Sequence, residues 1–426
     1  MDIASLPSPA LPAPPVSRPA PRTGRRNAVV LVGFTAATNL ADGVTKMALP
    51  VLAARLTGSP VQVTAVSLTL TLPWLLVALH VGVLVDRFDR RRLLWAANGA
   101  RLPAMGVLTV SAATGGLGLG LLCATGAVLG VADVLASTSA SALVPAAVPP
   151  AGRERVNTWM VGAETVGQEF AGPFVGGLLL AAGTAFALGV VGASYAAAAL
   201  VLLVLVGRFR AERPAPGAAA APPVSVNSRI AEGVRFLWHE RVLRTLSVVV
   251  AVLSAAWGAW LALMPLYAEQ VMRLGPRRYG IVLSALGIGG LVGAVAVTWV
   301  NRVLGARRAM LADLIGTGAM VALPALTTSV HAVAAGAFLG GMGGTLWSVN
   351  ARTLTQHLVP DEMLGRYGAA ARLFTFGAMP LGAALVGLLA ELCGMRLAFA
   401  AFALATAATP FLFLRTVPAS SLRPPP

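Results

Sequence analysis

Asp42 and Lys46 stand inside one long apolar run of this chain, Asp133 inside another, and Glu164 and Glu169 inside a third. A charge at the centre of a membrane-crossing helix costs about 2.5–3.5 kcal/mol on insertion scales, so each of these groups needs a reason. Asn39, Asp42 and Lys46 fall at i, i+3 and i+7, on one face of a helix. Two readings are open for them. Asp42 is a substrate- or proton-binding acid facing a central cavity with Lys46 as partner, or the two form an ion pair within the helix that only eases insertion. Asp133 is followed at i+4 and i+8 by Ser137 and Ser141. That polar stripe suits a cavity wall, or helix packing through small polar residues. Glu164 and Gln168 share a face, whereas Glu169 points about 140° away from Glu164 on helical geometry. A carboxylate shielded from water exchanges its proton nearer neutral pH than a solvated one, which is what proton coupling requires. Which of Asp42, Asp133, Glu164 and Glu169 carries the proton stays open.

Composition supplies the setting for these groups. Of 426 residues, 57% are hydrophobic and 11% charged, against about 25% charged in soluble domains. The pI near 11.6 is that of many nucleic-acid-binding proteins. Here, though, the arginines come in short clusters between apolar runs, which argues against a nucleic-acid partner and for a lipid bilayer. Lys46 is the only lysine, and with abundant alanine and glycine this is the usage of a GC-rich bacterial genome. Cys123 and Cys393 read as small apolar fillers.

Twelve segments can each cross a hydrocarbon core of about 30 Å with about 20 residues: 28–53, 61–85, 93–112, 118–146, 157–182, 186–206, 243–268, 279–300, 307–327, 330–357, 366–390 and 395–415. The expected organisation is a disordered cytoplasmic tail (1–27), a six-helix bundle (28–206), a linker with an amphipathic helix (207–242), a second six-helix bundle (243–415) and a short tail (416–426). With both termini inside, the inner segments carry 23 arginines and the outer loops five. That asymmetry predicts both ends on the cytoplasmic side of a multi-pass bacterial cell-membrane protein.

The two halves carry the same loop signatures in the same order. Asp86-Arg87 … Arg91-Arg92 is matched by Asn301-Arg302 … Arg307-Arg308, where the acid is lost. Pro149 … Arg155 is matched by Pro360 … Arg366, and Gly172-Pro173 … Gly176-Gly177 by Pro380-Leu381-Gly382. This is the pattern of repeats related by an axis along the membrane normal.

The stretch Gly82-Val-Leu-Val-Asp86-Arg87-Phe-Asp89-Arg90-Arg91-Arg92 resembles the signature loop of the major facilitator superfamily, with Asp89 where that pattern has a glycine. The Val-Pro, Arg-x-Asn and Gly-Pro-x-x-Gly-Gly elements of 145–183 are similar to the enterobactin-exporter-like, drug-efflux branch. The resemblance spans about 28–415. It implies an all-α membrane protein with twelve transmembrane helices in two pseudo-symmetric six-helix bundles. It also implies that spans one and four line the cavity and that spans three and nine are peripheral. Arg101 and Asp313, on those outer spans, then read as structural pairing or snorkelling.

In the family the loop acid contacts the start of span eleven when the cytoplasmic side is closed. Gly82, placed for a close backbone approach, and Asp86, Arg87 and Arg91 are thus expected to form a cytoplasmic latch with Arg372 as a possible partner. The other reading of these charges is that they set topology only. Trp74, Trp257, Trp260 and Trp347 are candidates for the cavity wall, and Trp95, Trp159 and Trp238 for interface anchors. The glycine runs Gly287–Gly290 and Gly340–Gly344 lie inside apolar spans, where they serve close helix packing rather than phosphate binding. No Walker loop, Cys/His metal cluster or converged catalytic set is present, so no cofactor is expected and the proton gradient is the expected energy source.

The expected activity is proton-coupled export of a small, partly apolar organic compound, such as an antibiotic, a siderophore or another secondary metabolite, by a monomer. The direction follows from the resemblance alone. An importer or uniporter of the same fold, or a non-transporting receptor or embedded enzyme, are the alternatives.

Overall fold

The computed structural model describes residues 21–207, 209, 226–359 and 361–417, all in helices and short connections. Residues 1–20, most of the linker and the tail beyond 417 lie outside the described residues. Six passes come from α1 (Pro21–Leu56), α2 with α3 (Pro60–Leu76, Ala78–Arg87), α4 (Arg90–Thr114), α5 (Leu119–Ala147), α6 with α7 (Pro150–Glu164, Gly172–Ala182) and α8 (Thr184–Leu203). Helix α9 (Val226–His239) follows. Six further passes are α10 (Arg241–Gln270), α11 (Pro276–Leu304), α12 (Ala306–Leu326), α13 (Val330–Leu358), α14 (Asp361–Cys393) and α15 (Met395–Thr416). Eight of the helices are long and apolar enough to cross a membrane on their own.

The first of the bundle edges shifts from its expected place. Residues 21–27 are not tail but the first turns of α1, anchored where the Asn27 amide donates to Val206 O (3.0 Å) and accepts from Val206 N (3.2 Å). The amphipathic helix expected in the linker is α9, which packs on α14, with Leu237 buried beside Tyr367 and Trp238 stacked on Phe374 at 6.1 Å.

Two passes are broken, each for a local reason. Pro73 has no N–H to give the preceding turn, and α2 gives way to α3 four residues later. In the fifth pass the backbone between α6 and α7 widens into a π-helical turn over Thr165–Ala171, just before Pro173. That turn presses on α1, where Gly43, Gly167 and Gly172 meet with no side chain between them. The second half repeats this crossing of first and fifth passes: Gly258 of α10 lies against the Met379 backbone, and Gly382 of α14 against Ala255. The other glycine runs behave as expected, Gly289 lying on Phe338 and Gly341 on Leu286.

The signature loop is set by Asp89. Its Oδ1 accepts from the amides of Arg91 (2.9 Å) and Arg92 (3.2 Å), capping α4, and its Oδ2 accepts from Phe209 N (3.2 Å). The departure from the family glycine thus starts a helix and ties the loop to the chain after α8. Gly82 makes no close approach. A Cβ there would meet no atom within 4 Å, because α3 packs through Val81 and Val85 onto α5. At the second copy of the loop, Asn301 and Asn350 exchange two amide hydrogen bonds of 2.9 and 3.1 Å.

At the end of the bundle away from the chain termini the halves are tied together. Ser59 Oγ donates to Glu391 Oε2 (3.0 Å), and Gln270 Nε2 donates to Gly58 O (3.3 Å).

A Cβ at Gly172 would stand 2.6 Å from the Gly43 Cα. Gly172→Val is therefore expected to cost about 1–3 kcal/mol or more by overpacking, read as a lower unfolding midpoint in detergent. Gly33→Val, where no atom lies within 4 Å of a Cβ, serves as control and should change it little. Equal midpoints for the two variants would refute the close crossing.

Candidate functional site

Asp42, Lys46, Arg101 and Asp133 form one ion-pair network inside the first bundle. Lys46 Nζ donates to Asp133 Oδ2 at 3.1 Å. Arg101 Nη2 donates to Asp42 Oδ2 at 2.8 Å and stands 3.6 Å from Asp133 Oδ1. Two acids and two bases make the group formally neutral, which is how it is tolerated in hydrocarbon. Neutral partners complete it. Tyr195 of α8 donates to Asp42 Oδ1 (2.6 Å), and its ring lies 4.9 Å from the Arg101 guanidinium carbon. Trp74 Nε1 donates to Asp133 Oδ2 (3.1 Å). Lys46 also donates to Gln168 Oε1, and Gln168 Nε2 donates to Asn39 Oδ1 (2.6 Å).

The network overturns one expectation and sharpens another. Asp42 and Lys46 are not each other's partners: on one helix face they point to different neighbours, Asp42 to α4 and Lys46 to α5. Arg101, expected to pair structurally or to snorkel, does pair, and deep inside the bundle. It is fully buried and bridges the two acids, because α4 packs closely on α5 and α8. The apolar setting of Arg101 marks it in the sequence as needing a partner, but not which. Tyr195, an isolated tyrosine in an alanine-rich span, carries no signal at all.

Two spaces adjoin the network. A small polar cleft of about 60 Å³ runs between α1, α5 and α6, lined by Thr38, Asn39, Asp42, Asp133, Ser137, Ser141, Asn157 and Glu164. The Ser137–Ser141 stripe is therefore a cleft wall. A larger cavity of about 320 Å³ lies between the halves, with Lys46, Trp74, Glu164 and Gln168 on one side and Trp257, Tyr279, Asp313 and Trp347 on the other. The Lys46 side chain is 31% exposed while that of Asp133 is 5% exposed, so the lysine is the arm of the network that reaches the cavity. Glu164 lines both spaces, and Gln168 joins it on the wall of the larger one. Asp313 is not peripheral either, since it lines the cavity. Of the four tryptophans expected there, Trp260 is instead fully buried in the packed core.

Arg87 is exposed and Arg91 half-buried. The side chains of Glu169, Asp86 and Arg372 lie outside the described residues, and the latch with them. Among the described residues no cluster of His, Cys, Asp and Glu could hold a metal ion.

Two six-pass bundles around a central cavity define a carrier of the major facilitator fold. The family model described as "Transmembrane secretion effector" matches residues 26–422, and the chain belongs to that family. It is a multi-pass membrane transporter, not an enzyme. The chain is 29% identical to the multidrug efflux pump Tap of Mycolicibacterium fortuitum, over 89% of this chain and 93% of that protein. It is 28% identical to the enterobactin exporter EntS of Salmonella choleraesuis, over 84% of each. The fold is similar to that of the nucleoside transporter NupG, with a TM-score of 0.68 at 11% identity, over 92% of this chain and 98% of that one.

Removing one partner of a buried ion pair leaves an unanswered charge at a cost of about 3–5 kcal/mol. Arg101→Leu should therefore sharply lower the unfolding midpoint in detergent, and Asp42→Asn added to it should recover part of the loss. Strictly additive losses in this double-mutant cycle would show that the pair does not form.

Proposed function

We propose that this carrier exports a small, partly apolar organic compound in exchange for protons, as a monomer in a bacterial cell membrane with both termini cytoplasmic. The names of its relatives, a multidrug efflux pump and an enterobactin exporter, support the direction and the substrate range: an antibiotic, a siderophore or another secondary metabolite. The arginine asymmetry supports the orientation, which puts the tied end of the bundle outside and the cavity on the cytoplasmic route.

One observation carries the coupling. The Lys46–Asp133 pair stands between a polar cleft and the large cavity, with one member on each side. A proton reaching Asp133 through the cleft neutralises the acid and removes the attraction that holds Lys46. The lysine is then free to turn toward the cavity and its occupant, and its return requires the proton to leave. Arg101 stays paired with Asp42, so the bundle stays assembled while the contacts of Lys46 and Arg101 with Asp133 open and close. Gln168 holds Lys46 from the π-helical turn of the fifth pass, so motion of the lysine is transmitted to a helix that lines the interface between the halves. Small differential contacts of this kind suffice to bias a carrier between its two states.

In proteoliposomes holding the carrier and an exported dye, substrate should accumulate in the more acidic compartment as protons leave it. Asp133→Asn is expected to cut that gradient-driven accumulation about tenfold or more while sparing downhill exchange. Accumulation by the unmodified carrier that ignores the pH gradient would rule the coupling out.

A further inference from the structure

Asp313 is the cavity acid that the network does not answer. It sits on α12, which packs on α13 and α15, and it reaches the cavity past a gap in α13. That gap is Gly343-Gly344. A Cβ at Gly343 would stand 2.6 Å from Asp313 Oδ1 and 2.7 Å from its Cα, and Gly344 itself lines the cavity. Any larger residue at 343 closes the gap. Gly340–Gly344 therefore does more than pack helices: its last two residues leave a window between an outer helix and the central cavity.

Behind the window the acid is 1% exposed, and its Oδ1 accepts one hydrogen bond, from the Thr317 hydroxyl (3.0 Å). Asp42 and Asp133 each have a cation within 3.1 Å. Among the described residues Asp313 has none within ion-pair distance. Burial without a counter-ion is costly for a carboxylate, and that cost is recovered when a cation arrives from the cavity. The surrounding wall suits one. Trp257, Tyr279 and Trp347 line the same side, and the Trp257 ring lies 3.4 Å from where a Cβ of Gly344 would be. Aromatic faces attract cations. The opposite wall carries Lys46, and Glu164 is close enough to interact with it. A positive group is thus directed away from Lys46 and toward Asp313, with its apolar body spanning the cavity.

We propose that Asp313, seen through the Gly343–Gly344 window, is the counter-charge for a cationic group on the substrate, an ammonium or guanidinium carried on an aromatic or aliphatic body. This inference rests on the export reading and specifies its substrate class.

The test compares an aromatic quaternary ammonium, ethidium, with an uncharged aromatic dye, Nile red, for binding to the purified full-length carrier and for transport in vesicles. Asp313→Asn keeps the acceptor for Thr317 and removes the charge. It should weaken ethidium binding about tenfold or more and leave Nile red unchanged, while Asp313→Glu restores ethidium. Gly343→Ala should lose ethidium in the same way with the acid still present, provided the variant elutes as a single species. Unchanged ethidium affinity in Asp313→Asn, or a carrier that moves only the uncharged dye, overturns the assignment and leaves the export reading standing. A carrier that moves neither dye, nor any compound of a wider drug panel, overturns the export reading and this assignment with it.

Discussion

A carboxylate surrounded by hydrocarbon is tolerated when a cation reaches it, and the first bundle is built around meeting that requirement twice. Asp42 and Lys46 lie on α1, Arg101 on α4 and Asp133 on α5. Tyr195, Trp74 and Gln168 add bonds from α8, α2 and the turn between α6 and α7. All six passes of the bundle therefore hold part of one network. Rotating α1, α4 or α5 would strand a charge and rotating any of the others would take a hydrogen bond from one, so the electrostatics select the rotation of each helix that apolar packing alone leaves loosely specified. Neutrality of the whole group lets it sit deep in the bundle. The unequal exposure of Lys46 and Asp133 lets part of it answer to the cavity.

The second bundle repeats the crossings but not the charges. Gly258 and Gly382 bring α10 and α14 together as Gly43 and Gly172 bring α1 and α7. At the position of Asp86 stands Asn301, satisfied by a reciprocal amide pair with Asn350. An amide pair keeps two helices in register without a charge to be moved. The cavity wall contributed by this half is mostly aliphatic and aromatic, with Asp313 as its acid. The charged network thus lies in one half, and most of the apolar lining of the cavity in the other.

Spans, repeats and the need for buried acids to have partners were legible in the sequence, because hydropathy and spacing along a helix carry them. Asn39, Asp42, Lys46 and Asp133 stood out for that reason and do converge. Partner choice was not legible. On a single helix Asp42 and Lys46 look paired at i+4, but a neighbouring helix a side chain away competes, and Arg101 wins Asp42 because α4 packs there. Arg101 does pair structurally, as its outer span suggested, but the role given to Asp313 failed, because a span's place on the outside of a bundle says nothing about which of its side chains reaches the cavity. Asp89 shows the same limit at the loop, where a departure from the family glycine has its own use as a cap.

Rocking two halves past each other needs bundles that hold their shape and ties between them that break cheaply. Within each half the glycine crossings bring backbones into contact, leaving no room for helices to slide, and packed interiors resist deformation. Between the halves, the Ser59–Glu391 and Gln270–Gly58 bonds are exposed. Exchanging them for bonds to water costs only about 0.5–1.5 kcal/mol each. The barrier to opening that end is thus set by the apolar contacts of α2 with α14 and of α7 with α11, which a substrate in the cavity between them is placed to disturb. Such a motion by itself pulls on no bond of the polar network, since every member of it belongs to one half.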